Sequence, residues 1–471
     1  MENNLWILTE ERPKMTVIAK IIQEFARDYR CSFFVNALQI IPILDNNNNF
    51  TFTYEIIGVT SRNKNCFNKI FLKIVSGASS FVDFLVFLQE KEPQITDCPI
   101  YAIEETKTDD SESRNTGVYQ RCSKFVFIDS FYPTVKKIML YELQIEQKEK
   151  PTETNIFGTR MLLTLGVKIL GKEIDYNIYK PFEDIDEFIA FKQKMRKAPK
   201  GNVPINITKY NDRIEVSGRL EKQGSLSHDP NIGALSIISA VVRKLGWKKD
   251  IVIIQHGLTQ KMVGKKNKFV QIANVIGIKL QNLIIPKVDL PKDYWYYDMS
   301  GEKLGTIFIH ITSENFEDAY SIFENHAGCE KGYFITNEGK PIVLPKYVNR
   351  EAYKDGDKSA IYFIPDLILY DNHKQEIINV EGKKFENMYN GISELDNYDD
   401  IERDFISKYY PNCNIIRTVV LYGSEEIKIK EEKVGFLLNS KGALILGPIP
   451  PNLFSRAINN LKSFWNSEIL D

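Results

Sequence analysis

Two carboxylates and a lysine lie close together in the segment IPDLILYDNHKQEIINVEGKK, residues 364–384. Asp366 follows a proline, and Glu381 and Lys383 are two residues apart. Carboxylate oxygens are the ligands that Mg²⁺ prefers, and a nearby lysine can orient or deprotonate water or stabilise a phosphate that gains charge. These are the residue types that metal-dependent hydrolysis of a phosphodiester requires.

The pattern around these residues predicts that their side chains meet. Two apolar strands flank the polar turn DNHKQ, which is typical of a β-hairpin. Glu381 and Lys383 share one face of the second strand because side chains alternate along it. A register that pairs the strands brings Asp366 to the same end of the hairpin as Glu381. Repulsion between the two carboxylates favours a bound cation. A surface hairpin with exposed charges is the alternative interpretation.

Pro365-Asp366 followed by Glu381-Gly382-Lys383 resembles the motif of the PD-(D/E)xK nuclease superfamily, which includes most type II restriction endonucleases. The resemblance implies an α/β fold with a restriction-endonuclease-like mixed sheet in the order α-β-β-β-α-β. It also implies a Mg²⁺-dependent, site-specific deoxyribonuclease. In that family Asp366 and Glu381 correspond to metal ligands, and all three charged residues of the motif correspond to catalytic ones.

A second Glu-x-Lys triplet ends another apolar strand, with Glu105 and Lys107 as its charged members. Asp97 is the predicted partner acid, at a spacing that resembles a mismatch-repair nickase and its restriction-enzyme relatives. That resemblance implies that Asp97 and Glu105 bind metal and that Lys107 takes part in catalysis. Asp83 is a rival first acid, Glu104 is a rival ligand, and no Pro-Asp dipeptide occurs here. A surface ion pair between Glu105 and Lys107 is the alternative.

The number of active sites decides how a duplex would be cut. A nuclease with one site per chain usually dimerises to cut both strands. A chain with two distinct sites could cut both strands as a monomer, and its recognition sequence need not be symmetric. The sequence therefore leaves both a monomer and a homodimer open.

The middle of the chain carries a basic and amide-rich stretch at 260–282. Lysines suit phosphate contacts, and asparagine or glutamine suits adenine edges in the major groove. The stretch also has a weak helix-turn-helix rhythm. An ordinary solvated basic helix is the alternative. The candidate DNA-binding residues are Lys261, Lys265, Lys266, Lys268, Gln271 and Asn274.

Length and composition set the broad class. With 471 residues, 43% hydrophobic and 26% charged, the chain is expected to form two or three folded domains. The predicted domains are a nuclease-like domain at 1–200, a recognition or linker domain at 201–300, and a nuclease domain at 301–471. Lys plus Arg total 61 against 62 for Asp plus Glu, so a DNA-binding face would have to be local.

Other features concern the cellular setting. The six cysteines form no CxxC pair, which argues against zinc ribbons and gives no sign of a disulfide framework. No signal peptide or long apolar run is present, so we expect a cytoplasmic protein with no membrane contact.

Local patterns predict further elements that bear on the candidate sites. Helices are expected over 1–45, at 79–90 and at 315–327, and a strand at 305–311. The favoured hypothesis is a type II restriction enzyme that acts on double-stranded DNA and is paired with a DNA methyltransferase. The alternatives are a repair or recombination nuclease and a non-catalytic DNA-binding specificity module.

Overall fold

The structure is a computed structural model of the chain. It describes residues 3–61, 66–77, 81–106, 123–141, 153–195, 205–222, 225–226, 230–264, 268–299, 301–324, 332–357 and 359–468.

Strands and helices alternate through the described residues. The strands are β1 (Asn4–Thr9), β2 (Phe33–Leu44), β3 (Phe50–Ser61), β4 (Ile70–Gly77), β5 (Phe84–Gln89), β6 (Tyr101–Thr106), β7 (Lys136–Tyr141), β8 (Lys168–Leu170), β9 (Ile207–Lys209), β10 (Arg213–Ser217), β11 (Glu221–Lys222), β12 (Ser225–Leu226), β13 (Asp250–Ile254), β14 (Ile278–Leu280), β15 (Trp295–Tyr297), β16 (Ala319–Glu324), β17 (Gly332–Ile335), β18 (Pro341–Leu344), β19 (Leu367–Asp371), β20 (Glu376–Lys384), β21 (Asn414–Tyr422), β22 (Val434–Leu438) and β23 (Leu444–Leu446).

The helices differ widely in length. They are α1 (Met15–Tyr29), α2 (residues 123–128), α3 (Glu153–Thr164), α4 (Ile185–Lys194), α5 (Pro230–Lys244), α6 (Lys268–Ile276), α7 (Lys303–Phe316), α8 (Arg350–Lys354), α9 (Met388–Glu394), α10 (Asp399–Ile401), α11 (Ser407–Tyr409) and α12 (Asn452–Glu468). Short 3₁₀ turns at Gln260–Met262, Phe385–Asn387 and Leu395–Asn397, and a π-helical turn at Glu402–Ile406, complete the set.

The chain divides into two compact units, each made of two stretches of sequence. Unit 1 comprises Met1–Glu10 and Val75–Tyr296, and unit 2 comprises Glu11–Ile74 and Tyr297–Asp471. The three consecutive domains expected from the sequence do not coincide with these units, because residues 11–74 belong with the C-terminal part of the chain. The fold class is mixed α/β, as predicted at that coarse level.

Unit 2 is built on a six-stranded mixed sheet with the order β16-β19-β20-β21-β22-β23. The pairs β16–β19 and β19–β20 are antiparallel, whereas β20–β21 and β21–β22 are parallel. The predicted hairpin is therefore present, with β20 at the centre of the sheet. The segment between β20 and β21 has to cross over the sheet because those strands are parallel.

Helices cover both faces of this sheet. The crossover segment from α9 to α11 packs its apolar side chains, including Leu395, Ile401 and Ile406, against a buried core over the strands. On the other side, α7 packs on β20 and β21 and also on α12 and β2. Phe308 of α7 illustrates this burial, since its ring contacts both Phe50 and Phe436.

The described residues of unit 1 form two larger sheets and the two-stranded pair β11–β12. In one, β1, β5, β6, β7 and β8 follow one another, with antiparallel pairing in the first two pairs and parallel pairing in the last two. The second sheet has the order β14-β13-β10-β9. In it α6 connects the parallel strands β13 and β14, so the described residues here do not form the helix-turn-helix that the sequence suggested.

Several predicted elements are wrong, and burial explains why. Within 79–90 the described residues 81–90 contain β5 and not a helix, because Phe84–Phe87 are buried on both faces and the run lacks an alternating pattern. Residues 305–311 lie in α7 and not in a strand, since a helix covered on both sides lacks the polar face that reveals its period.

The region 315–327 contains β16, where a bulge between Ser321 and Phe323 breaks the strand alternation and leaves a spacing that resembles a helix. The predicted helix over 1–45 is confirmed only for α1, since β1 and β2 occupy much of that range.

Two findings concern the expected setting. Cys31 and Cys66 are disulfide-bonded, so the absence of any disulfide signal in the sequence was misleading. None of the helices in the described ranges is both long and apolar enough to cross a membrane.

Candidate functional site

Unit 2 brings together the three charged residues of the C-terminal motif. Asp366 directly precedes β19, and its Oδ2 accepts a hydrogen bond of 3.0 Å from the backbone N–H of Gly382. The Lys383 Nζ lies 2.6 Å from Glu381 Oε1. The strand register explains this geometry. Leu367 pairs with Val380, so Asp366 lies opposite Glu381.

Gly382 is required by the close approach of α7 to β20. A Cβ atom at this position would lie 2.3 Å from Thr306 Oγ1 and 3.3 Å from Asp366 Oδ2. The middle position of the Glu-x-Lys triplet therefore has no space for a side chain.

We expect Gly382→Ala to lower the free energy of unfolding of unit 2 by about 1–3 kcal/mol, because the added methyl group overpacks the contact with α7. Thermal or chemical denaturation measures the change. The double variant Gly382→Ala/Thr306→Ala should recover much of the loss, since alanine at 306 removes the clashing oxygen. A double variant no more stable than Gly382→Ala would contradict this explanation.

Lys383 is held between two carboxylates. Its Nζ lies 2.6 Å from Glu381 and 2.8 Å from Glu394 Oε2 on α9. Burial favours the neutral amine, but the bonds to both carboxylates outweigh it and raise the pKa of Lys383 above its ordinary value. The lysine is thus a cation at neutral pH and suits stabilisation of a phosphate better than removal of a proton from water.

Glu381 is a buried acid with a raised affinity for a proton. Burial is the main cause that raises the pKa of Glu381 to about 8, and repulsion from Asp366 is the second. The Tyr398 hydroxyl donates a hydrogen bond to Glu381 Oε2 and partly offsets this effect. Burial also raises the pKa of Asp366, and Glu302 and Glu394 add to the increase. A cation between Asp366 and Glu381 would relieve this repulsion.

These shifts predict how stability depends on pH without metal. Glu381 has an ordinary pKa of 4.5 and a folded-state pKa of about 8, so the folded protein binds the proton more tightly than the unfolded chain. The stabilising contribution of Glu381 to the free energy of unfolding is therefore full below pH 4.5 and is lost as pH rises through 8. We expect the free energy of unfolding of the metal-free protein in EDTA to fall by an amount on the order of 2–4 kcal/mol over this pH range.

Denaturation in EDTA at pH 5.5, 7 and 8.5 measures this trend. The Glu381→Gln variant is the control, because an amide cannot titrate. An equal fall in stability for this variant and the wild type would assign the effect to other groups.

A cavity of about 200 Å³ opens beside the Asp366 carboxylate. Ionisable side chains supply much of its lining: Glu11, Arg12, Glu302, Lys303, His310, Glu324 and Asp366. Arg12 is tied to Glu314 and, at 3.2 Å, to Glu324. The cavity gives a small polar group, such as a hydrated cation or a phosphate oxygen, access to Asp366.

An arginine fixes the segment that carries Glu394 and Tyr398. Arg417 of β21 donates to the Leu395 carbonyl at 2.8 Å and to Glu402 at 2.6 and 2.7 Å. Glu402 also accepts a 2.6 Å hydrogen bond from Asn379 on β20. These contacts hold the crossover segment on the sheet and so position the partners of Glu381 and Lys383.

Sequence reasoning missed Glu302, Glu394 and Tyr398. Glu302 lies at the start of a helix that the sequence pattern presented as a strand, so its approach to Asp366 had no visible signal. Glu394 and Tyr398 lie in the helical segment that follows β20, whose turns change from α to 3₁₀ geometry between them. No fixed helical spacing relates them to Lys383.

The structure does not bring together the acids predicted for the N-terminal site. Asp97 accepts hydrogen bonds from the Gln94 backbone and the Gln89 side chain, at the far end of β5. Asp83, at the other end of β5, accepts from the Glu105 backbone N–H at 2.6 Å. Gln89, the last of the six residues of β5, lies roughly 20 Å along the strand from Asp83.

The rival acids noted in the sequence occupy this position instead. Lys124 of α2 contacts Asp83 at 3.3 Å and Glu104 at 2.9 Å. Glu104 therefore faces Asp83, and the Glu105 side chain points to the opposite face because neighbours on a strand alternate. Lys107 lies outside the described residues.

The structure also locates part of the middle basic stretch. Lys265 and Lys266 lie outside the described residues, and so does the side chain of Lys268, whose backbone starts α6. Lys261 is exposed in a 3₁₀ turn, and Gln271 is half-buried on α6. Asn274 donates to the carbonyls of Val270 and Pro286 at 2.8 and 3.0 Å, so its amide stabilises the local backbone.

The side chains predicted to bind Mg²⁺ in unit 2 are the carboxylates of Asp366 and Glu381. Among the described residues, no group of three or more Asp, Glu, His or Cys side chains is arranged to hold a metal ion. Mg²⁺ is commonly bound by only one or two carboxylates, with water completing its coordination. The Asp366–Glu381 pair, with its raised pKa values, fits that requirement.

Comparisons of the chain with models of known protein families, with curated proteins and with solved structures find no match.

Proposed function

We propose that this chain is a Mg²⁺-dependent endonuclease that hydrolyses phosphodiester bonds in double-stranded DNA at specific sites, in the manner of a type II restriction enzyme. The observation that carries the proposal is the convergence of Asp366, Glu381 and Lys383 at one end of the β19–β20 hairpin. The element order around them supports it. Helix α7, the antiparallel strands β16, β19 and β20, a helical crossover and the parallel strand β21 follow the α-β-β-β-α-β order of restriction-endonuclease-like cores, with the separate β17–β18 pair and α8 inserted between β16 and β19.

The residues of unit 2 have separate roles in this proposal. Asp366 and Glu381 would hold Mg²⁺, which supplies neutralising charge at the phosphate and an activated water. Lys383, kept protonated by its two carboxylate partners, stabilises negative charge on the phosphate. Glu394 and Tyr398 fix the lysine and Glu381 in place, which preserves the geometry before DNA arrives.

Digestion of plasmid and bacteriophage DNA with Mg²⁺, and in parallel with EDTA, tests the proposal. We expect discrete bands with Mg²⁺ and intact DNA with EDTA. A smear, or cleavage only at branched or damaged DNA, would favour a repair or recombination nuclease. DNA left intact at all Mg²⁺ concentrations would overturn the enzymatic proposal. A DNA methyltransferase that protects the same sites would be the expected partner.

A further inference from the structure

Unit 1 contains a second cluster of two carboxylates and a lysine. Lys124 Nζ lies 3.3 Å from Asp83 Oδ1 and 2.9 Å from Glu104 Oε2. The Glu104 side chain is 1% exposed, but those of Asp83 and Lys124 are 35% and 22% exposed. The cluster therefore combines a buried acid with two groups that a ligand from solvent can reach.

The strands that carry this cluster repeat the arrangement found in unit 2. The series β1-β5-β6-β7-β8 has the pairings antiparallel, antiparallel, parallel and parallel. The series β16-β19-β20-β21-β22 has the same four pairings in the same order. In each series the second and third strands form a hairpin, and a helical segment follows the third strand.

The register within the two hairpins is also the same. Phe84, the first residue of β5, pairs with Ile103, just as Leu367, the first of β19, pairs with Val380. In both hairpins an aspartate comes directly before the residue that begins the first strand, and a glutamate comes directly after that residue's partner on the second strand. Asp83 thus corresponds to Asp366.

By the same register Glu104 corresponds to Glu381. A backbone hydrogen bond repeats as well. The N–H of the residue after the glutamate donates to Oδ2 of the aspartate, at 2.6 Å from Glu105 and at 3.0 Å from Gly382.

The lysine is the one member that differs in origin. Thr106 occupies the position that corresponds to Lys383, and the cation comes instead from Lys124 on the helix that follows. Its distance of 2.9 Å from Glu104 compares with 2.6 Å between Lys383 and Glu381. A lysine on either element can place its ammonium group beside the same carboxylate because the side chain is long and flexible.

We propose that Asp83, Glu104 and Lys124 form a second divalent-cation site that hydrolyses a phosphodiester, so that one chain cuts both strands of a duplex. This inference rests on the proposed function of unit 2. At each site the oxygen of water bonds to phosphorus and the phosphorus–oxygen bond to the leaving deoxyribose breaks. One proton of the water ends on the leaving hydroxyl, and the other passes to solvent.

Binding of Mn²⁺ to the full chain tests the site without cleavage. Calorimetric titration of the wild type, Asp83→Asn, Asp366→Asn and the double variant should show the stoichiometry falling in each single variant and disappearing in the double. An unchanged stoichiometry in Asp83→Asn alone would overturn the second site and leave the proposed function intact. An unchanged Mn²⁺ stoichiometry in Asp366→Asn alone would overturn the site in unit 2.

Cleavage of supercoiled plasmid tests the role of each site. The wild type should give linear product, whereas Asp83→Asn and Lys124→Met should accumulate nicked circles, with linearisation slowed at least tenfold. Asp97→Asn and Lys137→Met are the matched controls, because Asp97 caps a distant turn and Lys137 pairs with Asp129. Thermal unfolding checks that each variant is folded. Linearisation at the wild-type rate by both test variants would overturn the inference.

Discussion

The Asp366→Asn variant is expected to lose Mg²⁺-dependent double-strand cleavage by about a thousandfold or more while it keeps its fold. Asparagine can still accept the hydrogen bond from the Gly382 backbone, so the hairpin should keep its geometry. What disappears is one of the two negative charges that would hold the cation. Removal of that charge also removes repulsion from Glu381, so the pKa of Glu381 should fall and the metal-free protein should not be less stable.

The measurement is the rate at which linear product forms from supercoiled plasmid, combined with chemical denaturation in EDTA. Asp318→Asn is a matched control, since Asp318 contacts Asn372 in the turn at the opposite end of the same hairpin. A rate for Asp366→Asn within tenfold of the wild type would remove Asp366 from the reaction. A similar loss in the control would indicate a general structural effect.

The Lys383→Met variant is expected to lower the rate of double-strand cleavage by about 100- to 1000-fold while cation binding is retained. Methionine preserves much of the apolar stem that packs over Gly391, whose position would place a Cβ 2.7 Å from Lys383 Cγ. The variant removes the positive charge between Glu381 and Glu394. The pKa of Glu381 should therefore rise further, so that in EDTA the protein becomes more sensitive to rising pH.

Cleavage rates at saturating Mg²⁺ and Mn²⁺ titrations measure these two effects separately. Lys384→Met provides the control, because Lys384 is the next residue on the strand and points to the other face. If Lys384→Met slows cleavage as much as Lys383→Met does, the specific role of Lys383 is wrong. Lost cation binding in Lys383→Met would assign the lysine to the ligand geometry.

The sequence predicted the hairpin of unit 2 well because its signal is local. Two apolar runs, a polar turn and alternation placed Asp366, Glu381 and Lys383 together, and the register of β19 and β20 agrees. The surroundings of this hairpin depend on distant contacts. Helix α7 is buried by strands and helices from both stretches of unit 2, and that tertiary burial hides its helical period.

The N-terminal cluster illustrates a different limit. A Glu-x-Lys triplet directed attention to Glu105 and Lys107, but the register of β6 against β5 decides which of two adjacent glutamates faces the aspartate. A slip of one residue reverses every side chain on a strand, and the sequence does not fix that choice. Lys124 is brought in by a helix, so no spacing along the strand could have identified it.

The interrupted path of unit 2 has a consequence for its synthesis. The hairpin of β2 and β3 is made early, yet its packing partners on α7 and α12 lie beyond residue 297. Phe50 packs on Phe308, and the Trp465 indole donates to the Pro42 carbonyl at 2.8 Å. At usual elongation rates, residues 75–296 take roughly 10–40 s to emerge from the ribosome. During that interval the β2–β3 hairpin lacks the side chains of α7 and α12 that complete its core, so unit 2 finishes folding only after α12 has been synthesised.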